Sequence, residues 1–154
     1  MGFAAYYLND PTAPKPNRPV HLGVNVLIEW DGKLLLERRK DCDIWGLPGG
    51  GVKGREDETK AIAREVLEET GLRLPVSEFQ KIRVYGEPGR IVSYRDGSVW
   101  RMVIVLYRAV LWEKPVLHLS AESKELRFFT REELKNIQIV CTHRDLVAEN
   151  WNSL

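Results

Sequence analysis

The sequence predicts a single α/β domain, a sandwich of helices packed on a mixed central sheet. Three observations lead there. Val24, Val26 and Ile28 alternate with other residues before an Asp31-Gly32 turn, Val99 to Leu111 forms a long strand-like apolar run, and between them Asp57 to Thr70 has helical periodicity. A length of 154 residues suits one domain with a full hydrophobic core. Apolar residues make up 44% and charged residues 29%, which excludes disorder as the main state.

The elements follow in chain order. Leu8 to Pro19 carries four prolines in twelve residues, so it reads as an extended arm and neither helix nor inner strand. Residues 1–20 are therefore set apart as a proline-rich arm, free to hug the surface or to latch onto a second subunit in a homodimer, and 21–154 as the domain proper. From His21 the alternating segment, the Trp30-Asp31-Gly32-Lys33 turn and Leu34-Leu35-Leu36 make a hairpin. Gly49-Gly50-Gly51 reads as a loop by composition. Asp57 is a good N-cap for the helix that follows, and Gly71 a natural stop. Phe79 to Tyr85, Val99 to Leu111 and Leu126 to Phe129 read as strands. Thr130 with Glu133 forms a capping box, and Arg144 to Trp151 a last amphipathic helix.

Charge and cysteine usage narrow the function classes. Lys and Arg total 23 against 22 for Asp and Glu, a net charge of +1 that gives no general pull toward nucleic acid or an anionic membrane. Cys42 and Cys141 are too few for a disulfide framework. No stretch approaches the ~18 apolar residues of a membrane span, and the first residues lack a secretory pattern, so a cytoplasmic protein is expected.

The helix at 57–70 carries the most chemistry. At about 100° per residue, Ile62, Ala63, Val66, Leu67 and Thr70 share one arc, the expected buried one. Glu58, Glu65, Glu68 and Glu69 share the other. Such an acidic arc is either a solvated face or a set of oxygen ligands for a hard divalent ion, Mg²⁺ or Mn²⁺ before Zn²⁺. The glycines just upstream let backbone approach closely, and a carbonyl of Gly49 or Gly50 could complete a metal shell.

Read outward, the segment is Gly50-x5-Glu56-x7-Arg64-Glu65-Val66-x-Glu68-Glu69-x-Gly71-Leu72. It resembles the signature box of the Nudix hydrolases, with nine specified positions filled over 23 residues. The flanking Trp45-Gly46-Leu47-Pro48-Gly49-Gly50 and Glu122 to Phe129 also look like that family. Lys53 and Arg55 depart from common family residues and add positive charge beside the phosphate site. The resemblance implies an α/β/α sandwich and an enzyme cleaving phosphoanhydride bonds in a small nucleotide substrate. By the same resemblance, Glu65, Glu68 and Glu69 bind Mg²⁺ or Mn²⁺ with help from the Gly49 or Gly50 carbonyl. Glu56 ties the loop to the helix or reaches a metal through water, and Arg64 holds a glutamate in place. The general base is either Glu65 or Glu122.

Outside the box, Arg39 is either a phosphate ligand or a solvated strand end. Trp45, Tyr94 and Trp100 are candidates for stacking a nucleobase or for packing. His21, His118 and His143 show no metal spacing. Pro88 lies near a marker proline of ADP-ribose-cleaving members, in what is also an ordinary turn. These readings favour a nucleoside diphosphate linked to another group, of ADP-ribose or nucleotide-sugar type. A hydrolase sanitising nucleoside triphosphates is the alternative, followed by a non-catalytic nucleotide sensor.

Overall fold

The computed structural model describes residues 4–151, and its core is one mixed sheet covered on both faces. Strands β1 (Ala4–Leu8), β2 (His21–Trp30), β3 (Lys33–Arg39), β4 (Trp45–Gly46) and β5 (Gly49–Gly51) precede helix α1 (Glu58–Thr70). Then come β6 (Gln80–Tyr85), β7 (Arg90–Tyr94), β8 (Val99–Leu111), β9 (Ser123–Phe129), the single-turn α2 (Arg131–Leu134) and α3 (Cys141–Asn150). The main strand order is β1-β7-β8-β2-β3-β4, with β5 on β2, β6 on β8 and β9 on β3. The β2–β8 pair is parallel and every other strand pair antiparallel, which makes the sheet mixed.

The alternation along the central strands explains the two layers. Val24, Val26 and Ile28 of β2, Leu35 of β3, and Val105, Tyr107 and Ala109 of β8 pack with Ala61, Ile62 and Val66 of α1. Their neighbours Leu27, Leu34, Leu36, Ile104 and Leu106 point the other way, toward Leu146, Val147 and Trp151 at the C-terminal end. A strand buried on both faces needs no polar side, hence the unbroken run Val103 to Leu106.

Several expectations hold. The hairpin turns at Asp31-Gly32, and β8 spans Val99–Leu111 as read. Asp57 caps α1 by accepting from the Thr59 N–H at 2.8 Å, and Gly71 ends the helix in the left-handed region at φ 77°. Thr130 and Glu133 close their capping box.

Others need correction. Gly49–Gly51 is a strand paired with Gly23 to Asn25, not a loop; the partner β2 holds it extended in spite of its composition. Helix α3 starts at Cys141, three residues ahead of the expected Arg144. Ala4–Leu8, inside the stretch read as an arm, is a sheet strand with Tyr6 opposite Val92 on β7. The proline-rich residues after it run along the β7–β8 hairpin of the same chain. Asn9 donates its N–H to the Gly89 carbonyl (2.9 Å), and the Asn17 side chain bonds both Gly97 O and Val99 N. Among the described residues no helix is long and apolar enough to cross a membrane.

The faces of α1 also differ from the simple division. Ala61, Ile62, Val66, Glu69 and Thr70 are buried, while Leu67 is only half-buried. The acidic arc thus turns partly inward over β5, and the helix leans Leu67 toward solvent. Ile62→Ala should cost about 2–5 kcal/mol, and Leu67→Ala distinctly less. Denaturant midpoints of the two variants check this order.

Candidate active site

The site forms where α1 lies across β5. Asn25 donates its side-chain N–H to the carbonyls of Leu47 (3.2 Å) and Pro48 (3.3 Å), while Val26 donates its backbone N–H to Pro48 (3.1 Å). The Leu47 N–H donates to His143 Nδ1 at 3.0 Å. These bonds fix the Trp45–Gly51 segment from both sheet faces. Glycine is required at two places in it. A Cβ on Gly49, at φ 150°, would stand 2.0 Å from the Val24 carbonyl, and one on Gly50 would stand 2.6 Å from the Glu65 carboxylate. The bare backbone lets that carboxylate rest against β5.

Five glutamates and two arginines make the electrostatic centre. Glu69, 6% exposed, accepts from the Gly49 N–H at 2.8 Å, which ties the end of α1 to β5. Arg64 grips Glu56 with two bonds, Nε at 2.7 Å and Nη2 at 2.9 Å, and gives Nη1 to Glu65 at 2.9 Å and to Glu68 at 3.3 Å. Its Nη2 also donates to the Gly51 carbonyl at 3.1 Å. The Glu56 carboxyl is held down at about 2 by the Arg64 hydrogen bonds and then by the Lys53 N–H. Burial pushes the Glu65 carboxyl up, with Arg64 opposing. Burial pushes Glu69 up further, and the neighbouring Glu37 and Glu65 charges add to it.

Glu37 is the member that the sequence reading missed. It is 2% exposed on β3, on the face of Leu35, where a carboxylate inside an apolar alternation could have flagged it. The Ser123 hydroxyl donates to Glu37 Oε2 at 2.5 Å, while Oε1 is buried without a donor. Arg39 Nη1 lies 3.6 Å from Glu37 and 3.8 Å from Glu69, and its other nitrogens bond Asp41 at 3.0 Å each. Arg39 is thus the cation between two buried carboxylates. Glu122 is exposed one residue ahead of Ser123, and its carbonyl accepts from the Lys40 N–H at 3.1 Å.

A cleft of about 140 Å³ opens beside this centre, with Arg39, Gly49, Gly50, Gly51, Tyr6 and Tyr94 in its walls. The structure therefore gathers Glu56, Arg64, Glu65, Glu68, Glu69 and the glycines into one network, with Arg39 and Tyr94 on the adjoining cleft. Trp45 is not in that wall. Its ring is buried edge-on against Phe129 at 4.8 Å, because β4 brings it under the C-terminal layer. Tyr6 and His143, both in the wall, were not singled out as site residues from sequence.

The residues fit a hard divalent ion by chemistry, since the donors are carboxylate and carbonyl oxygens and the buried Glu37 Oε1 has no hydrogen-bond donor, only the Arg39 charge at 3.6 Å. Among the described residues no three acidic, histidine or cysteine side chains are already drawn into a chelating set. Arg64 holds three of the carboxylates instead, and of these the exposed Glu68 at 3.3 Å is the one freest to turn away.

Comparison with known proteins agrees with this geometry. A family model described as a NUDIX domain matches residues 19–149. The chain belongs to the Nudix hydrolase family. It is 41% identical over 63 residues to a putative 8-oxo-dGTP diphosphatase of Bacillus subtilis, 41% of each chain. Over 91% of its length it is 28% identical to the whole of an RNA pyrophosphohydrolase of Novosphingobium aromaticivorans. The chain spans only 34–41% of the first curated relatives that it matches. In fold it is similar to a bifunctional NMN adenylyltransferase/ADP ribose pyrophosphatase of Francisella tularensis, solved with AMP and a Mn ion. That likeness has a TM-score of 0.74 at 21% identity and covers 90% of this chain and 43% of that one.

His143 gives this site a pH signature. Burial, then the charges of Arg39 and Arg90, push its imidazole down to about 3. The unfolded chain takes up that proton near pH 6.5 and the folded one does not. The contribution is therefore fully present above pH 6.5 and declines as pH falls toward 3, by about 1.4 kcal/mol per pH unit. His143→Asn keeps an acceptor for Leu47 without the titration. Its unfolding free energy should fall less steeply than wild type between pH 6.5 and 4.5, and parallel slopes would refute the role.

Proposed function

We propose that the protein is a divalent-metal-dependent pyrophosphohydrolase acting on a nucleoside diphosphate linked to another group, of the ADP-ribose or nucleotide-sugar kind. One observation carries the reading. The inward-turned acidic arc of α1 meets the bare backbone of β5 at the mouth of a cleft that also holds Arg39 and Tyr94.

Glu65, Glu68 and Glu69, with the Gly49 or Gly50 carbonyl, would hold Mg²⁺ or Mn²⁺. The ion, when bound, neutralises the diphosphate oxygens and makes water a better nucleophile. Arg64 orients Glu65 and, through Glu56, ties the 53–56 loop to the helix. Arg39 offers a guanidinium to phosphate. Glu122 or Glu65 takes the proton of the attacking water. The P–O–P bridge breaks and leaves a nucleoside monophosphate and the phosphorylated remainder. Action on nucleoside triphosphates is the second reading, favoured by the name of the 41%-identical relative. The full set of box carboxylates argues against an idle sensor.

Hydrolysis across a nucleotide panel should stop in excess chelator and return with Mg²⁺ or Mn²⁺. If Glu122 is the base, Glu122→Gln should lower kcat by roughly 10²–10⁴ with the metal midpoint unmoved, whereas Glu65→Gln should shift that midpoint. Phosphate-release assays with product identification decide between them. Complete inactivity on every nucleotide, with either metal, would sink the reading.

A further inference from the structure

Tyr6 lies outside the family match at 19–149, yet it lines the cleft. Strand β1 pairs with β7 so that Ala4 faces Tyr94 and Tyr6 faces Val92. Residues two apart share a sheet face, so Tyr6 and Tyr94 are diagonal neighbours on one face, about 7–8 Å apart in such ladders. No ring contact joins them among the described residues, and both residues are only half-buried. The apolar Ile104 and Met102 line the same cleft, as do Arg39, whose charge reaches both tyrosines, and the β5 glycines. The cleft thus sets two aromatic rings and apolar side chains beside a guanidinium and bare backbone. Those are the two kinds of surface that a nucleotide needs, one for a flat base and one for phosphates.

We infer that Tyr6 is a base-contacting residue, which with Tyr94 holds the flat aromatic base of the substrate while Arg39 and β5 receive the phosphates. The inference rests on the proposed nucleotide reading and deepens it, because it assigns base recognition to a strand that precedes the matched domain. Tyr6 is held in place from both sides of the strand. The Ala4 N–H donates to the Asp41 carbonyl at 3.3 Å, and the β1–β7 ladder continues to Leu8 opposite Arg90. The anchorage is backbone pairing, so it survives replacement of the ring.

The test compares AMP with ribose 5-phosphate, which lacks the base, by calorimetry in Mg²⁺ on the full chain. Tyr6→Leu should weaken AMP binding roughly tenfold and leave ribose 5-phosphate within twofold of wild type, while Tyr6→Phe should keep AMP binding. Equal loss of both ligands in Tyr6→Leu, or no loss of either, overturns the inference. Loss of AMP binding in Tyr6→Phe as large as in Tyr6→Leu assigns the effect to the hydroxyl and overturns stacking. Should the wild type hydrolyse nucleotides while Tyr6→Leu binds AMP normally, only the Tyr6 inference falls. A wild type that neither binds AMP nor hydrolyses any nucleotide removes the functional reading and this one together.

Discussion

The site depends on one approach, the Glu65 and Glu69 carboxylates of α1 against the unshielded backbone of Gly49 and Gly50. A methyl group on either glycine would collide, in one case with the β2 carbonyl of Val24 and in the other with Glu65 itself. That closeness brings the carboxylates out of water, which raises their proton affinity and makes a neighbouring cation worth more. The helix is aimed by its apolar contacts, since Ala61, Ile62 and Val66 seat it on the sheet. Packing thus sets the distance at which the electrostatics act.

Two arginines balance the acidic cluster in different ways. Arg64 spreads over Glu56, Glu65, Glu68 and the Gly51 carbonyl, so it organises the loop and helix as one piece. Arg39 is clamped by Asp41 and faces Glu37 and Glu69 from the cleft side. A third, Arg90, has no exposed surface and works at a distance. It bonds Glu87, Asp145 and the Thr142 carbonyl, joining β7 to α3. The same two elements carry Tyr94 and His143 into the cleft. Removing one partner of so buried an ion group is among the costlier changes a fold can suffer.

Much of this was legible in the sequence, for identifiable reasons. Val99–Leu111 declared itself because its middle, Ile104 to Tyr107, is buried on both faces, and the β2–β3 hairpin because Asp-Gly suits its turn. The box residues gave the network around Arg64. Other features hid behind composition or distance. Gly49–Gly51 has no strand propensity and is extended only because β2 pairs with it. Glu37 closes a leucine run, and its place in the site shows only once the Ser123 hydroxyl and Arg39 are seen around it. Trp45, beside a glycine run, suggested a binding aromatic, but its neighbours in space are Phe129 and the C-terminal layer. Leu67 fell on the right arc for an isolated helix and on the wrong side of the tilt taken by this one.

Strand β1 has a consequence for how the molecule comes together. Ala4 pairs with Tyr94, so ninety residues must be spanned before one wall of the cleft exists. Closing so long a loop is entropically costly, and contacts of this span form late and slowly. Strand β1 thus waits for partners made much later in the chain. They also lie at the rim of the sheet, where partial opening takes the least free energy. That wall of the cleft can therefore breathe while the α1 core stays closed, which separates the life of the cleft from that of the fold.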